Sequence, residues 1–169
     1  TEVEVDDTDY DPMDLPADAV DLREPFVEPD WADPVVLRSE PFWIPPYTEK
    51  QVCFFSTWDG EDVGIHKQRS FQNDFGHHFI IASSGLTTRE VPDGTVVDCT
   101  DNSSVGMQSF KPLIIGGTID AANQSGTFEL PEGMGARIAP GQRLVLQAHY
   151  VNTSPNPIIV QDELQLQIL

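Results

Sequence analysis

The chain has 169 residues and 18.7 kDa, and its 9 Lys+Arg against 28 Asp+Glu give a net charge of −19 and a pI near 4.1. That is enough for one cored domain plus an extension and too little for two ordinary domains. So acidic a surface repels nucleic acid and anionic membranes. At a mean hydropathy of −0.27, no run approaches the roughly 18 apolar residues of a membrane-spanning helix.

The charge is concentrated at the start. Residues 1–34 hold 13 of the 28 acids and one base, Arg23, a net −12 that leaves −7 for the remainder. Eight of the 14 prolines fall within residues 1–46. Repelling carboxylates interrupted by Pro12, Pro16, Pro25, Pro29 and Pro34 disfavour a helix or a central strand. Residues 1–34 therefore read as an extended, solvated, Pro-rich leader, with Phe26, Val27 and Trp31 able to pin part of it. Its acids lack the Asp-x-Asp-x-Asp-Gly spacing of a calcium loop. The chain opens at Thr1 with no apolar signal segment, which leads us to expect a processed or trimmed product.

Residues 35–169 read as one β domain. Short apolar runs, punctuated by Gly, Pro, Asn and Asp, predict strands at Pro41–Ile44, Gln51–Ser56, Gly64–Arg69, His77–Ala82, Thr95–Asp98, Phe110–Ile115, Gly126–Leu130, Arg143–Val151 and Ile158–Leu169. With no helical stripe, this pattern implies an all-β fold, an antiparallel, jelly-roll-like sandwich. Arg143–Val151 alternates most clearly: Leu144, Leu146, Ala148 and Tyr150 share one face, Val145, Gln147, His149 and Val151 the other.

Two cysteines, Cys53 and Cys99, are either a bridge or a pair of buried thiols. An even count in an acidic chain favours a disulfide and an oxidising compartment, secreted, periplasmic or at the cell surface. Asn102, Asn123 and Asn152 each begin an Asn-x-Ser glycosylation pattern.

The four histidines carry the chemistry. His77-His78 opens one apolar strand, and His149 lies inside another about 70 residues later. Three neutral imidazoles form an adequate ligand set for copper or zinc, with one position open. Neighbouring strand residues face opposite sides, so His77 and His78 share an ion only at a strand end or bulge, which the preceding Gly76 permits. The plainer alternative makes His77 and His78 surface residues and His149 a satisfied core residue. His66, Gln147 and Met107 are weaker candidates, as further ligands or as groups hydrogen-bonded behind the ligands. No Gly-x-Ser-x-Gly elbow and no glycine-rich phosphate loop occurs.

Five landmarks, in order, resemble the N-terminal domain of the copper type II, ascorbate-dependent monooxygenases, the family of peptidylglycine α-hydroxylating monooxygenase and dopamine β-monooxygenase. They are Glu49-Lys50-Gln51-Val52-Cys53, Gly76-His77-His78-Phe79-Ile80-Ile81, Cys99-Thr100-Asp101, the turn from Leu130 to Ile138, and Leu144-Val145-Leu146-Gln147-Ala148-His149-Tyr150. The resemblance spans about residues 49–150. It implies that His77, His78 and His149 form the family's all-histidine copper site, which stores and passes electrons, and that Cys53 bonds Cys99. The family's second copper, where substrate is hydroxylated, uses two histidines and a methionine in a following domain. No His-x-His pair occurs here, and Met13, Met107 and Met134 are the only methionines.

The leading expectation is an extracytoplasmic, single-domain copper protein with a mononuclear three-histidine site, serving redox, electron-transfer or copper-handling work with a redox partner or small-molecule reductant. The competing expectations are a copper-dependent monooxygenase or oxidase, alone or with a partner subunit, a zinc site, and a metal-free β-sandwich binding module.

Overall fold

Alternating burial along the strands decides how the chain layers. The computed structural model describes residues 10–101, 110–115 and 125–169, and among these it contains no helix. In chain order the strands are β1 (Val20–Asp21), β2 (Val35–Arg38), β3 (Phe42–Ile44), β4 (Thr48–Thr57), β5 (Val63–Phe71), β6 (Gly76–Ser83) and β7 (Val96–Asp98). They continue with β8 (Lys111–Ile115), β9 (Ser125–Glu129), β10 (Ala136–Ile138), β11 (Arg143–Asn152), β12 (Ile158–Val160) and β13 (Glu163–Ile168). The fold is all-β.

Two five-stranded antiparallel sheets face each other. One runs β7-β4-β11-β6-β8; the other runs β10-β5-β13-β2, with β9 also on β5. A small third sheet, β1-β12-β3, closes one side. All three contribute to one core: Val52, Phe54, Phe79, Ile81, Leu144, Ala148 and Tyr150 from the first, Ile65, Ile138, Leu164 and Leu166 from the second, Phe42, Ile44, Ile158 and Val160 from the third. These are the inward positions of strands with period-two alternation.

The first sheet is also buried on its outer face. There Cys53, Phe55, Ala82, Val91, Cys99 and Val145 form a second apolar cluster. This is why β4 and β11 are buried at consecutive positions instead of alternating. Cys53 and Cys99 are bonded, both fully buried, and tie β4 to the segment following β7.

The predicted final strand, Ile158–Leu169, is divided at a corner. Its first part, β12, joins the third sheet and its second, β13, joins the second. Asp162 makes the corner: it is buried, its backbone N–H donates to Ser39 Oγ, and its carboxylate accepts from Tyr150 Oη at 2.5 Å and Gln72 Nε2 at 3.2 Å. Strands β1, β2 and β10, two to four residues long, lie outside the predicted runs.

Residues 10–34 are largely exposed, with turns at 12–14 and 17–18, and touch the sandwich at several points. Val20 and Asp21 pair in parallel with β12, and the Trp43 indole donates to Asp11 O. The Phe26 ring meets Phe71, Gln165 Nε2 donates to Val27 O, and Trp31 stacks under Lys67 and Arg69. Lys and Arg stems on the second sheet thus receive the leader's aromatics while most of its carboxylates remain in water. Asn152 is 1 % exposed and its amide donates to Ile44 O, Pro45 O and Asn156 O, so that glycosylation pattern is closed in the folded protein. Asn102 and Asn123 lie outside the described residues.

The bridge spans 46 residues in sequence, and restricting the unfolded chain over such a loop contributes about 3–4 kcal/mol. The paired substitution Cys53→Ala and Cys99→Ala should lower unfolding free energy by that order in chemical denaturation. A loss below about 1 kcal/mol would mean that the apolar cluster holds this face without the bridge.

Candidate metal centre

Register is what brings the histidines together. Strand β11 pairs antiparallel with β6 so that His149 lies directly opposite His78, on the outer face of the first sheet. Cross-strand partners on one face have side chains in reach of each other. One step further along, Tyr150 pairs with Gly76 instead of His77, so β6 carries one extra residue. That bulge frees His77 from alternation and turns it toward the face that His78 already occupies. The sequence requirement for an irregularity at Gly76 is met at this point in the strand.

The bulge depends on close packing before it. A Cβ added to Gly76 would lie 2.5 Å from Gln72 Cβ, closer than real side chains tolerate, and 3.0 Å from Asn73 O, a tight contact. Phe75, immediately before, holds φ at +71°. Residues 72–76 cross from β5 in one sheet to β6 in the other, and buried polar groups tie this crossing down. Asn73 N donates to Tyr150 Oη, Gln161 N donates to Asn73 Oδ1, and Val151 N donates to Phe75 O. Tyr150 and His149 are sequence neighbours on opposite faces, so one strand both anchors the crossing and supplies a ligand.

The result is three Nδ1 atoms aimed at one point. The separations are 3.1 Å for His77 to His78, 3.2 Å for His77 to His149 and 3.1 Å for His78 to His149. The rings stand edge to face, at interplanar angles of 61°, 76° and 71°. The centre of that triangle is about 1.8 Å from each nitrogen, close to the ~2.0–2.1 Å of an imidazole–metal bond. Among the described residues, these are the side chains grouped closely enough to hold a metal ion. His149 is buried, His78 half-buried and His77 exposed.

A proton on His78 is disfavoured at this position. Burial foremost, then the charges of His149 and His77, holds the His78 imidazole down to about 4, with Glu49 acting in the opposite direction. Neutral imidazole presents the lone pair that a cation needs. Three nitrogen lone pairs in mutual contact repel unless a cation or shared protons lie between them, and a divalent ion satisfies all three at once.

His66 lies on β5, in the facing sheet, with Nδ1 3.1 Å from Met134 O and Nε2 3.8 Å from Glu129. The expectation of a nearby His66 is corrected by the crossing: β5 and β6 are consecutive in sequence but belong to different sheets. Gln147 shares the face of His149, is buried, and its amide donates to Cys99 Sγ at 3.9 Å. Met107 lies outside the described residues. Sequence reasoning passed over Glu49 as a functional residue, yet its carboxylate is 2.7 Å from His149 Nε2. The signal for it is the β4–β11 register, in which Gln51 faces His149 and Glu49 is the same-face diagonal neighbour.

No protein-family model matches the chain, and no curated protein matches it. The chemistry of the site therefore rests on its own geometry.

Substituting Gly76 with Ala should cost about 1–3 kcal/mol, because the backbone must shift to accept the methyl group. The same shift should displace His77 and weaken metal binding at least tenfold in a chelator competition. Unchanged affinity would show that the bulge is dispensable. The second prediction concerns pH. An unfolded histidine takes up its proton near pH 6.5 and His78 in the fold only near 4, so stability present above 6.5 is lost as pH falls toward 4. Burial raises Asp162 to about 7, so its contribution runs the other way, lost as pH climbs from about 4 through 7. Comparing metal-free wild type with His78→Gln at each pH cancels the Asp162 contribution. Wild type should weaken relative to the variant between pH 6.5 and 4, and parallel stability curves would contradict the depressed value.

Proposed function

We propose that the chain is an extracytoplasmic copper protein in which His77, His78 and His149 hold one copper ion for electron relay or copper handling. The observation that carries this reading is the convergence of the three Nδ1 atoms at 3.1–3.2 Å. An all-imidazole donor set accepts both Cu(I) and Cu(II), and the Irving–Williams order puts Cu(II) above Zn(II) for such nitrogens. The resemblance of Gly76–Ile81 and Leu144–Tyr150 to the copper strands of the ascorbate-dependent monooxygenases supports the same choice of metal.

Bound copper supplies a one-electron couple. The rest is the work of the chain's own residues. Buried His149 and half-buried His78 form the floor of the site, while exposed His77 offers the edge by which an ion or a redox partner approaches. A rigid sheet holds the nitrogens in one arrangement for both oxidation states, which limits reorganisation when an electron moves. The disulfide between Cys53 and Cys99 fits an oxidising compartment.

The test is titration of Cu(II) into metal-free protein, followed by EPR. One equivalent should give a spectrum with nitrogen hyperfine coupling, and zinc should compete only in excess. The paired variant His77→Ala and His149→Ala should lose at least 100-fold in affinity. An identical spectrum from that variant would remove copper from this site.

A further inference from the structure

Of the three imidazoles, His149 is distinguished by what stands behind it. Its Nδ1 faces His77 and His78, and its far nitrogen, Nε2, is 2.7 Å from Glu49 Oε1. Among the described residues, His77 and His78 have no such carboxylate partner. Glu49 belongs to β4 and reaches across to β11 from the diagonal position, with its side chain 60 % exposed. It is too far from the shared point to be grouped with the ligands. An ionised carboxylate can only accept a hydrogen bond, so Nε2 carries the proton and Nδ1 the lone pair. Two tautomers of nearly equal energy are thereby resolved into the one that binds metal. A carboxylate behind a ligating imidazole also makes it a stronger donor, which favours a doubly charged ion over a singly charged one.

We propose that Glu49 is the positioning residue of the site: through the Nε2–H of His149 it fixes the metal-ready tautomer and tunes the trio toward divalent ions. The tuning half of this inference rests on the metal reading above; the tautomer half does not. Glu49 is largely exposed and its carboxylate meets His149, so its replacement should leave the core intact.

Two measurements test it on the full chain. The first is long-range proton–nitrogen NMR of the metal-free protein near neutral pH. Wild-type His149 should be the Nε2–H tautomer, and Glu49→Ala should give a mixture, with Glu49→Asp restoring part of the original population. The second is affinity for Zn(II) and for Cu(II) by chelator competition. Glu49→Ala should lose about 10–100-fold, with Glu49→Gln between it and wild type. A tenfold loss confined to Cu(II) raises the copper potential by about 59 mV, the one-electron equivalent. An unmoved tautomer in Glu49→Ala, or affinities within twofold of wild type, would overturn the proposal. If wild type takes up neither metal, the metal reading fails together with the tuning half, and the NMR result alone decides whether Glu49 orients His149.

Discussion

The site depends on one irregularity in one strand pair. Between His78, which faces His149, and Gly76, which faces Tyr150, β6 holds a residue that has no partner on β11. In a regular ladder, His77 would point into the core beside Phe79 and Ile81 or displace them, and only two imidazoles would meet. The extra residue converts a His-His dipeptide, which alternation keeps apart, into two imidazoles on one face. Nothing in the neighbouring strands needs to move for this, because the pairing of β11 with β4 runs unbroken from Arg143–Thr57 to Asn152–Thr48.

The bulge is kept in place from the inside. Tyr150 is fully buried, and its hydroxyl donates to Asp162 while accepting from Asn73 N. Burial and the adjacent Asp162 push this phenol well above its ordinary range, so it remains a neutral donor. A buried polar network of this kind is costly if any member is lost. Here it connects three places: the corner between β12 and β13, the crossing from β5 to β6, and the strand that carries His149. Folding of the core and positioning of the site are therefore coupled through adjacent residues of β11.

On the outer face, the same strand runs from apolar packing to polar chemistry over a few residues. Val145 lies in the second apolar cluster, Gln147 meets the disulfide sulfur, and His149 meets the other imidazoles. The disulfide ties β4 to the segment after β7, and β4 supplies Glu49 behind His149. In a protein with a net charge of −19, the three imidazoles and the carboxylate behind them form a group that could hold a cation.

The β periodicity of Arg143–Val151 and the all-β class were legible in the sequence, because alternation is a local property; the grouping of His77, His78 and His149 was expected only through the resemblance its landmarks carry. Glycine at position 76 marked where an irregular backbone was possible, and the landmarks around His149 marked which remote strand to consider. Other features had no local signature. The assignment of β5 and β6 to opposite sheets, which removes His66 from the site, follows from how the two sheets stack. The division of Ile158–Leu169 follows from a buried aspartate whose partners, Tyr150 and Gln72, are remote in sequence. Phe26, Val27 and Trp31 were visible as possible anchors of the leader, but their partners Phe71, Gln165, Lys67 and Arg69 come together only on the folded second sheet. Residue type and spacing determined which groups were available for chemistry. Register across the sheets decided which of them met, since pairing distances belong to two strands at once and are written in neither.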